Sequence, residues 1–197
     1  MSNRPTIDRI AELQQLIADF AKVRRVPDLA DNGYKENDVE HSYGLAMTCW
    51  YLHPFLVPEL DLGLILRYSL AHDIVEVYAG DTYSFDTEAL KSKERRERDA
   101  LSRLRQEWSD FNAPMLLAER YMDKYDEEAR FVKAVDKILP VLMFELTKDP
   151  ATSWINHKVT LAMEIENKTS MHVSEAISPY YERLIQWLDE RGNIPKN

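Results

Sequence analysis

Apolar positions recur at three- and four-residue intervals along most of this chain, the spacing of helices that each bury one face. Ile7, Ile10, Leu13, Leu16, Ile17 and Phe20 predict an amphipathic helix over residues 6–22. The pattern then stops, and residues 24–37, with Pro27, Gly33 and several Asp and Asn, read as a loop ordered by what it binds. Asp38 is expected to cap a second helix carrying His41, Leu45, Ala46, Cys49 and Trp50, which Pro54 ends. A third helix, from about Pro58 to Tyr78, is apolar over much of its surface and so is expected at the centre, with Gly80 as its stop signal. It contains His72, Asp73 and Glu76.

Residues 86–109 place charges on one side and Leu90, Leu101, Leu104 and Trp108 on the other, as in a surface helix whose first half is solvated. Pro114 opens a shorter helix over 114–124, which leads into a long one over about 127–147. Phe131, Val132, Val135, Ile138, Leu139, Leu142 and Phe144 predict that much of this helix is buried, and Asp136 lies inside that apolar stretch. Helices near 152–170 and 179–190 close the chain, the second with Pro179 in its first turn and Leu184, Trp187 and Leu188 facing inward. The expectation is an all-α protein of one domain over 1–197, with a motif-bearing core at about 7–145 and C-terminal helices at 150–191.

Composition narrows this further. Five glycines among 197 residues suit helices better than a sheet with many tight turns. The longest apolar run, Leu60 to Val77, is interrupted by Asp61, Arg67, His72, Asp73 and Glu76, so no stretch approaches the roughly 20 residues of a membrane span. Cys49 has no second cysteine to pair with, and the N-terminus lacks a charged-then-apolar leader, so a reducing, cytoplasmic setting is expected. A formal charge of −9 argues against nucleic acid polymers and anionic membranes as partners. A small anionic substrate remains compatible with it, provided that a divalent cation and one or two arginines concentrate positive charge locally.

His72-Asp73 in the middle of an apolar helix demands compensation, since buried charges are rarely left unpaired. Imidazole and carboxylate are ordinary ligands for divalent metals, but two are too few. His41 and Asp136, each on the apolar face of another expected helix, are the best further candidates, and two His with two Asp leave coordination positions for water or a phosphate oxygen. Arg24 or Arg25 could clamp a phosphate through paired guanidinium donors. His53, His157 and His172 have no comparable partners and read as surface or core residues. Lys93, Arg95 and Arg96 read as a solvated helix face, and Cys49 as a small core residue.

The sequence resembles the HD-domain phosphohydrolases, and within them the subgroup of 5'-deoxynucleotidase-like small proteins. The resemblance is carried by Glu40-His41-Ser42, by the run from Ala71-His72-Asp73 through Glu76 to Gly80-Asp81, and by Lys133-Ala134-Val135-Asp136-Lys137. The Arg24-Arg25-Val26-Pro27 segment and Lys93-Glu94-Arg95-Arg96-Glu97 extend it to about residues 7–145. It implies an HD-type helical bundle with a metal site between central helices. One divalent ion would be held by His41, His72, Asp73 and Asp136, with Mn, Co, Fe, Mg and Zn not distinguished. Glu76 would orient a water or accept its proton, and Asp81 would protonate the leaving oxygen or hold the nucleophile. The implied activity is hydrolysis of a nucleoside 5'-monophosphate to nucleoside and phosphate, by a homodimer whose contact surface the apolar C-terminal helices could supply. A phosphodiesterase or pyrophosphorylated-nucleotide hydrolase on the same site, and a non-catalytic metal- or nucleotide-binding signalling module, are the competing readings. Bacterial members carry an Arg-Trp pair in the first loop, the Trp being associated with 2'-deoxyribose preference; Val26 aligns with it here.

Overall fold

Side-chain oxygens start most of the helices. Thr6, Asp61, Asp86, Asp126 and Asp149 each accept the backbone N–H three residues ahead, and this fixes where α1 (Ile7–Phe20), α3 (Leu62–Ala71), α5 (Thr87–Glu107), α7 (Glu127–Glu145) and α8 (Pro150–Asn156) begin. The other elements are β1 (Arg24–Asp28), β2 (Lys35–Asn37), α2 (Asp38–Leu56), α4 (Glu76–Ala79), a 3-10 turn (Ser109–Phe111), α6 (Ala113–Met122), α9 (Leu161–Thr169) and α10 (Ser178–Arg191). The structure, a computed structural model, describes residues 5–28, 34–169 and 173–197. Gly33 and His172, noted in the sequence, lie outside the described residues. Among the described residues no helix is long and apolar enough to cross a membrane.

The fold is helical as expected, with one departure in the segment read as a loop. Arg24 pairs with Asn37 and Asp28 with Lys35 in a short antiparallel ribbon whose register is irregular between those pairs. Successive strand residues point to opposite faces, and this separates the two arginines. Arg24 turns outward onto the Lys35 carbonyl, whereas the Arg25 side chain is only 11% exposed.

Several helix boundaries also differ from the sequence reading. Asn37, not Asp38, caps α2: its Oδ1 accepts the N–H groups of Val39 and Glu40, both at 3.0 Å, while Glu40 Oε2 accepts the Asn37 N–H at 3.0 Å. Asp38 is thereby carried inside and fully buried. Pro54 does not end α2, because in a last turn its missing N–H removes a single bond; the helix runs on to Leu56, and Val57 N–H reaches the His53 carbonyl. Trp50 faces outward, while Leu45 and Cys49 are buried.

The helix expected over 58–78 breaks at the His-Asp pair. A continuing helix would offer the Ser69 carbonyl to the Asp73 N–H, but His72 Nδ1 donates to that carbonyl at 2.9 Å. The backbone then tightens, with Ile74, Glu76 and Tyr78 N–H bonding three residues back, before α4 resumes and Gly80 ends it at φ 73°. The helix expected over 152–170 is likewise two, α8 and α9, with Lys158 in the left-handed region at φ 55° between them.

Helix α3 packs against α2, α6 and α7, and Leu45, Ile65, Tyr68, Phe131 and Val135 fill the space between them. A second core gathers Phe144, Trp154 and Leu188 at the far end of α7. Beside it the buried Glu145 accepts from Trp154 Nε1 at 2.7 Å, Arg191 Nε at 2.6 Å and Asn193 Nδ2 at 2.9 Å, tying α7, α8 and the chain end together. A third core of Val75, Leu101, Leu104, Trp108 and Met115 fastens α5 and α6 to the turn after α3. Cys49 is a buried core residue, and burial pushes its thiol up to about 12. His53 and His157 bond to the carbonyls of Leu60 and Ser153 and take no part in the site.

Candidate metal and phosphate site

The α3–α4 segment with its break brings His72, Asp73 and Glu76 to side chains of α2. His72 ends α3 with its ring buried, and the hydrogen bond from Nδ1 to the Ser69 carbonyl leaves Nε2 as the lone-pair nitrogen. His41, one turn into α2, donates from Nε2 to Asp136 Oδ1 at 3.0 Å and from Nδ1 towards Glu36 Oε2 at 3.3 Å. Asp136, on α7, also accepts the Tyr121 hydroxyl at 2.8 Å, and the Tyr121 ring stands edge-on to His72 at 5.2 Å. The two imidazole centroids are 5.4 Å apart. Ligand atoms of His41, His72 and Asp73 lie within 4.8 Å of one another, and so do those of Asp38, Asp73 and Glu76.

The electrostatics of this cluster point to missing positive charge. Burial, reinforced by the Asp73 charge, pushes Asp38 up to about 7. Burial followed by the charges of Asp73 and Asp38 pushes Glu76 well above the usual carboxylate range, and burial raises Asp81. Burial would also raise Asp73 and Asp136, but His72 and Arg25 outweigh it at the first, and Lys137 and His41 at the second, so both are held below the ordinary range. Burial and the Arg25 charge oppose protonation of His41, yet its bonds to Asp136 and Glu36 prevail and raise it to about 9. To bind a metal, His41 would have to release that proton.

Whether the residues suit a divalent ion can be tested on their unmet bonds. His72 Nε2 lies 2.9 Å from Asp73 Oδ2 without a hydrogen bond between them. A ring nitrogen and a carboxylate oxygen this close, with no hydrogen bond between them, are placed to share a cation, and Arg25 Nη1 on the same Asp73 oxygen supplies part of that positive charge. Both Asp38 oxygens and Glu76 Oε2 are also buried without a hydrogen-bond partner. Two imidazoles with several carboxylates form a donor set for a first-row divalent metal or Mg, so the fit is good.

A solvent-open cleft leads to this cluster. Asp73, Glu76, Asp81 and Asp136 line one side together with Arg25, Lys93 and Lys137; Val26, Tyr83, Phe85, Pro140 and Phe144 form an apolar wall. Arg25 Nη1 bonds Asp73 Oδ2 at 2.9 Å and lies 3.6 Å from Asp38 Oδ1. Arg24 is not brought to the cleft.

Several site neighbours escape the sequence reading. Lys93 and Arg96 are not a solvated face: Lys93 Nζ is 3.7 Å from Glu76 Oε1, and Arg96 bonds the segment that carries Asp81. Their only signal was the charged run at 93–97. Asp38 was legible as polar but was assigned to the cap, and Glu36 and Tyr121 left no signal. Lys133, over the Tyr121 ring at 4.3 Å, is lowered to about 8 by burial and by Lys137.

An all-α scaffold that gathers imidazoles and buried carboxylates from separate helices beside a cleft is that of the metal-dependent phosphohydrolases. The chain belongs to the HD domain family, whose profile matches residues 21–178. A crystal structure of a predicted metal-dependent phosphohydrolase from Magnetospirillum magnetotacticum MS-1 is similar to it at a TM-score of 0.79 and 28% identity, over 96% of this chain and 98% of that one. A conserved hypothetical protein from Pyrococcus furiosus shares the fold at a TM-score of 0.62 and 22% identity, over 91% of this chain and 99% of that one. In sequence the chain is similar to the 5'-deoxynucleotidase HDDC2 of Xenopus laevis, 28% identical over 72% of each, and to that of Mus musculus, 28% identical over 65% of this chain and 64% of the relative.

Because an ion that binds only the folded chain stabilises it by mass action, a divalent metal at a hundred times its Kd should add about 2.7 kcal/mol, roughly 5–10 °C in Tm for a chain of this size. Thermal melts with and without Mn²⁺ or Co²⁺ should show that shift for the wild type and less than half of it for His72→Ala. An equal shift in both would place the ion elsewhere.

Proposed function

We propose that this chain is a divalent-metal-dependent phosphomonoesterase that hydrolyses a nucleoside 5'-monophosphate to nucleoside and inorganic phosphate. The observation that carries the reading is one cleft lined both by the carboxylates Asp73, Glu76, Asp81 and Asp136, next to the buried imidazoles, and by Val26, Tyr83, Phe85 and Phe144, which suits a phosphate together with a flat nucleoside. The similarity to two proteins named 5'-deoxynucleotidase supports the same choice.

His41, His72, Asp73 and Asp136 would hold the ion. When bound, it would supply charge neutralisation at the phosphoryl oxygens and lower the pKa of a nearby water. Arg25, bonded to Asp73 and lining the cleft, sets the orientation of that carboxylate and contributes positive charge beside the phosphate; Arg24 has no such role. Lys93, at the same wall, offers a second cation to a phosphate oxygen. Glu76, which lines the cleft beside Asp73, would accept the proton of the attacking water, and Asp81, on the same lining, would deliver a proton to the departing sugar oxygen. Val26, packed like Tyr83 and Phe85 against the second core, is smaller than the tryptophan of the bacterial members, so ribose and deoxyribose monophosphates are both accepted.

Purified, metal-loaded protein should release phosphate and nucleoside in equal amounts from AMP and dAMP, with kcat/KM values within about tenfold of each other, a gap of about 1.4 kcal/mol. No phosphate release from any nucleoside monophosphate would remove the reading. Nucleotide or pyrophosphate as the product from other substrates would replace it with a diesterase or pyrophosphohydrolase.

The working unit is a homodimer formed through α2. From Ser42 to Val57 the chain has no Asp, Glu, Lys or Arg, and Tyr43, Met47, Trp50, Tyr51 and Phe55 form an exposed stripe. At aromatic side-chain areas of about 150–250 Å² each, the stripe offers roughly 600 Å² per copy, about 1,200 Å² for a two-fold pair and within the range of stable interfaces. This moves the expected contact from the C-terminal helices to α2. Sedimentation should give twice the 23.1 kDa chain mass, and Tyr51→Glu with Phe55→Glu should give a folded monomer; a monomeric wild type at micromolar concentration would contradict it.

A further inference from the structure

The segment after α4 holds its shape through contacts made by a residue on another helix. Gly80 sits at φ 73°, ψ 153°, a conformation almost confined to glycine, and Asp81 follows it on the rim of the cleft. Arg96, on α5, straddles that pair: Nη1 donates to the Ala79 carbonyl at 2.5 Å and Nη2 to Thr82 Oγ1 at 2.7 Å. Its Nε donates to Ser92 Oγ at 3.3 Å, which fixes the guanidinium to α5 itself. Thr82 is buried, so the far end of this clamp is shielded from water.

Arg96 touches the residues on either side of Gly80-Asp81, and among the described residues it makes no hydrogen bond to the Asp81 carboxylate. Its bonds therefore act on the backbone path, not on the acid's charge. A glycine at positive φ gives that path freedom, and a planar fork with two donors removes it.

We propose that Arg96 is a positioning residue that holds Asp81 in the cleft by clamping Ala79 and Thr82 across the Gly80 turn. The inference rests on the reading of Asp81 as the group that serves the substrate. Misplacing a reacting group by about 1 Å costs on the order of a hundredfold in rate, so the effect of losing the clamp falls on kcat, while the metal residues and the apolar wall are left in place.

The test uses the whole chain, metal-loaded for kinetics and metal-free for exchange, with whichever phosphate ester the wild type turns over fastest. Arg96→Ala should lower kcat by about 10- to 100-fold with KM within about twofold and metal content unchanged. Combined with Asp81→Asn it should be no slower than Asp81→Asn alone, since both act through one carboxylate. Thr82→Val, which removes one arm and keeps the side chain's shape, should show a smaller loss in the same parameter and guards against a misfolded alanine variant. In metal-free protein, amide exchange at residues 80–83 should accelerate at least tenfold in Arg96→Ala while α3 keeps its protection. Multiplicative losses in the double variant, a kcat within twofold of wild type in Arg96→Ala, or unchanged exchange at 80–83 would each overturn the proposal. A wild type that ignores nucleotides but cleaves another ester overturns the substrate reading alone. Full activity in Asp81→Asn overturns Asp81's role and with it the clamp's purpose.

Discussion

Negative charge packed away from water is the constraint around which this protein is arranged. Asp38, Asp73, Glu76 and Asp136 meet in a space that also takes two imidazoles and one guanidinium, and in a medium of low dielectric such groups repel far more strongly than at a surface. The raised Asp38 and Glu76 carboxyls are the local signs of that repulsion. A divalent cation relieves it, and the helices are fitted so that one can do so. The His72 bond to Ser69 breaks α3 where the pair must turn inward, and the Asn37 cap sends Asp38 inside. The ribbon's alternation gives Arg25 to the cluster and Arg24 to solvent, and Tyr121 holds Asp136 from behind.

Part of this was legible in the sequence: His41, His72, Asp73 and Asp136 stand out there as polar residues on apolar faces, and the fold brings them close together. The helices followed from periodicity: α5, α6, α7 and α10 bury one face each, and they and α1 start and stop within a few residues of expectation, although Ile7, Ile10 and Ile17 of α1 are exposed and only Phe20 is buried. What stayed hidden depends on partners far away in the chain. Lys93 and Arg96 look solvated until packing brings Glu76, Ala79 and Thr82 to them. Arg24 and Arg25 are equivalent until a strand separates them. The break after Ala71 comes from a side chain competing for a backbone carbonyl, which propensity does not register. Asn37 and Asp38 are both good caps, and only the reciprocal Glu40 bond distinguishes them.

The architecture separates duties. Cores at the two ends of α7 carry packing, including the buried Glu145 network, and leave the middle of α7 to present Asp136. Helix α5 turns Lys93 toward Glu76 and ties Arg96 to Ala79 and Thr82, so a helix that reads as a surface element in sequence borders the acidic cluster. The cleft's acidic floor would repel a phosphate unless a cation sits in it, and this links substrate binding to metal binding more tightly than Arg25 and Lys93 could alone.

The central claim is that one divalent ion resolves the buried charge, and anomalous diffraction from crystals loaded with zinc reads it directly. The account predicts a single strong peak at about 2.0–2.2 Å from His41, His72, Asp73 and Asp136, with the His41–Asp136 hydrogen bond replaced by bonds to the ion. An ion bound elsewhere, with His41 still donating to Asp136, would contradict it.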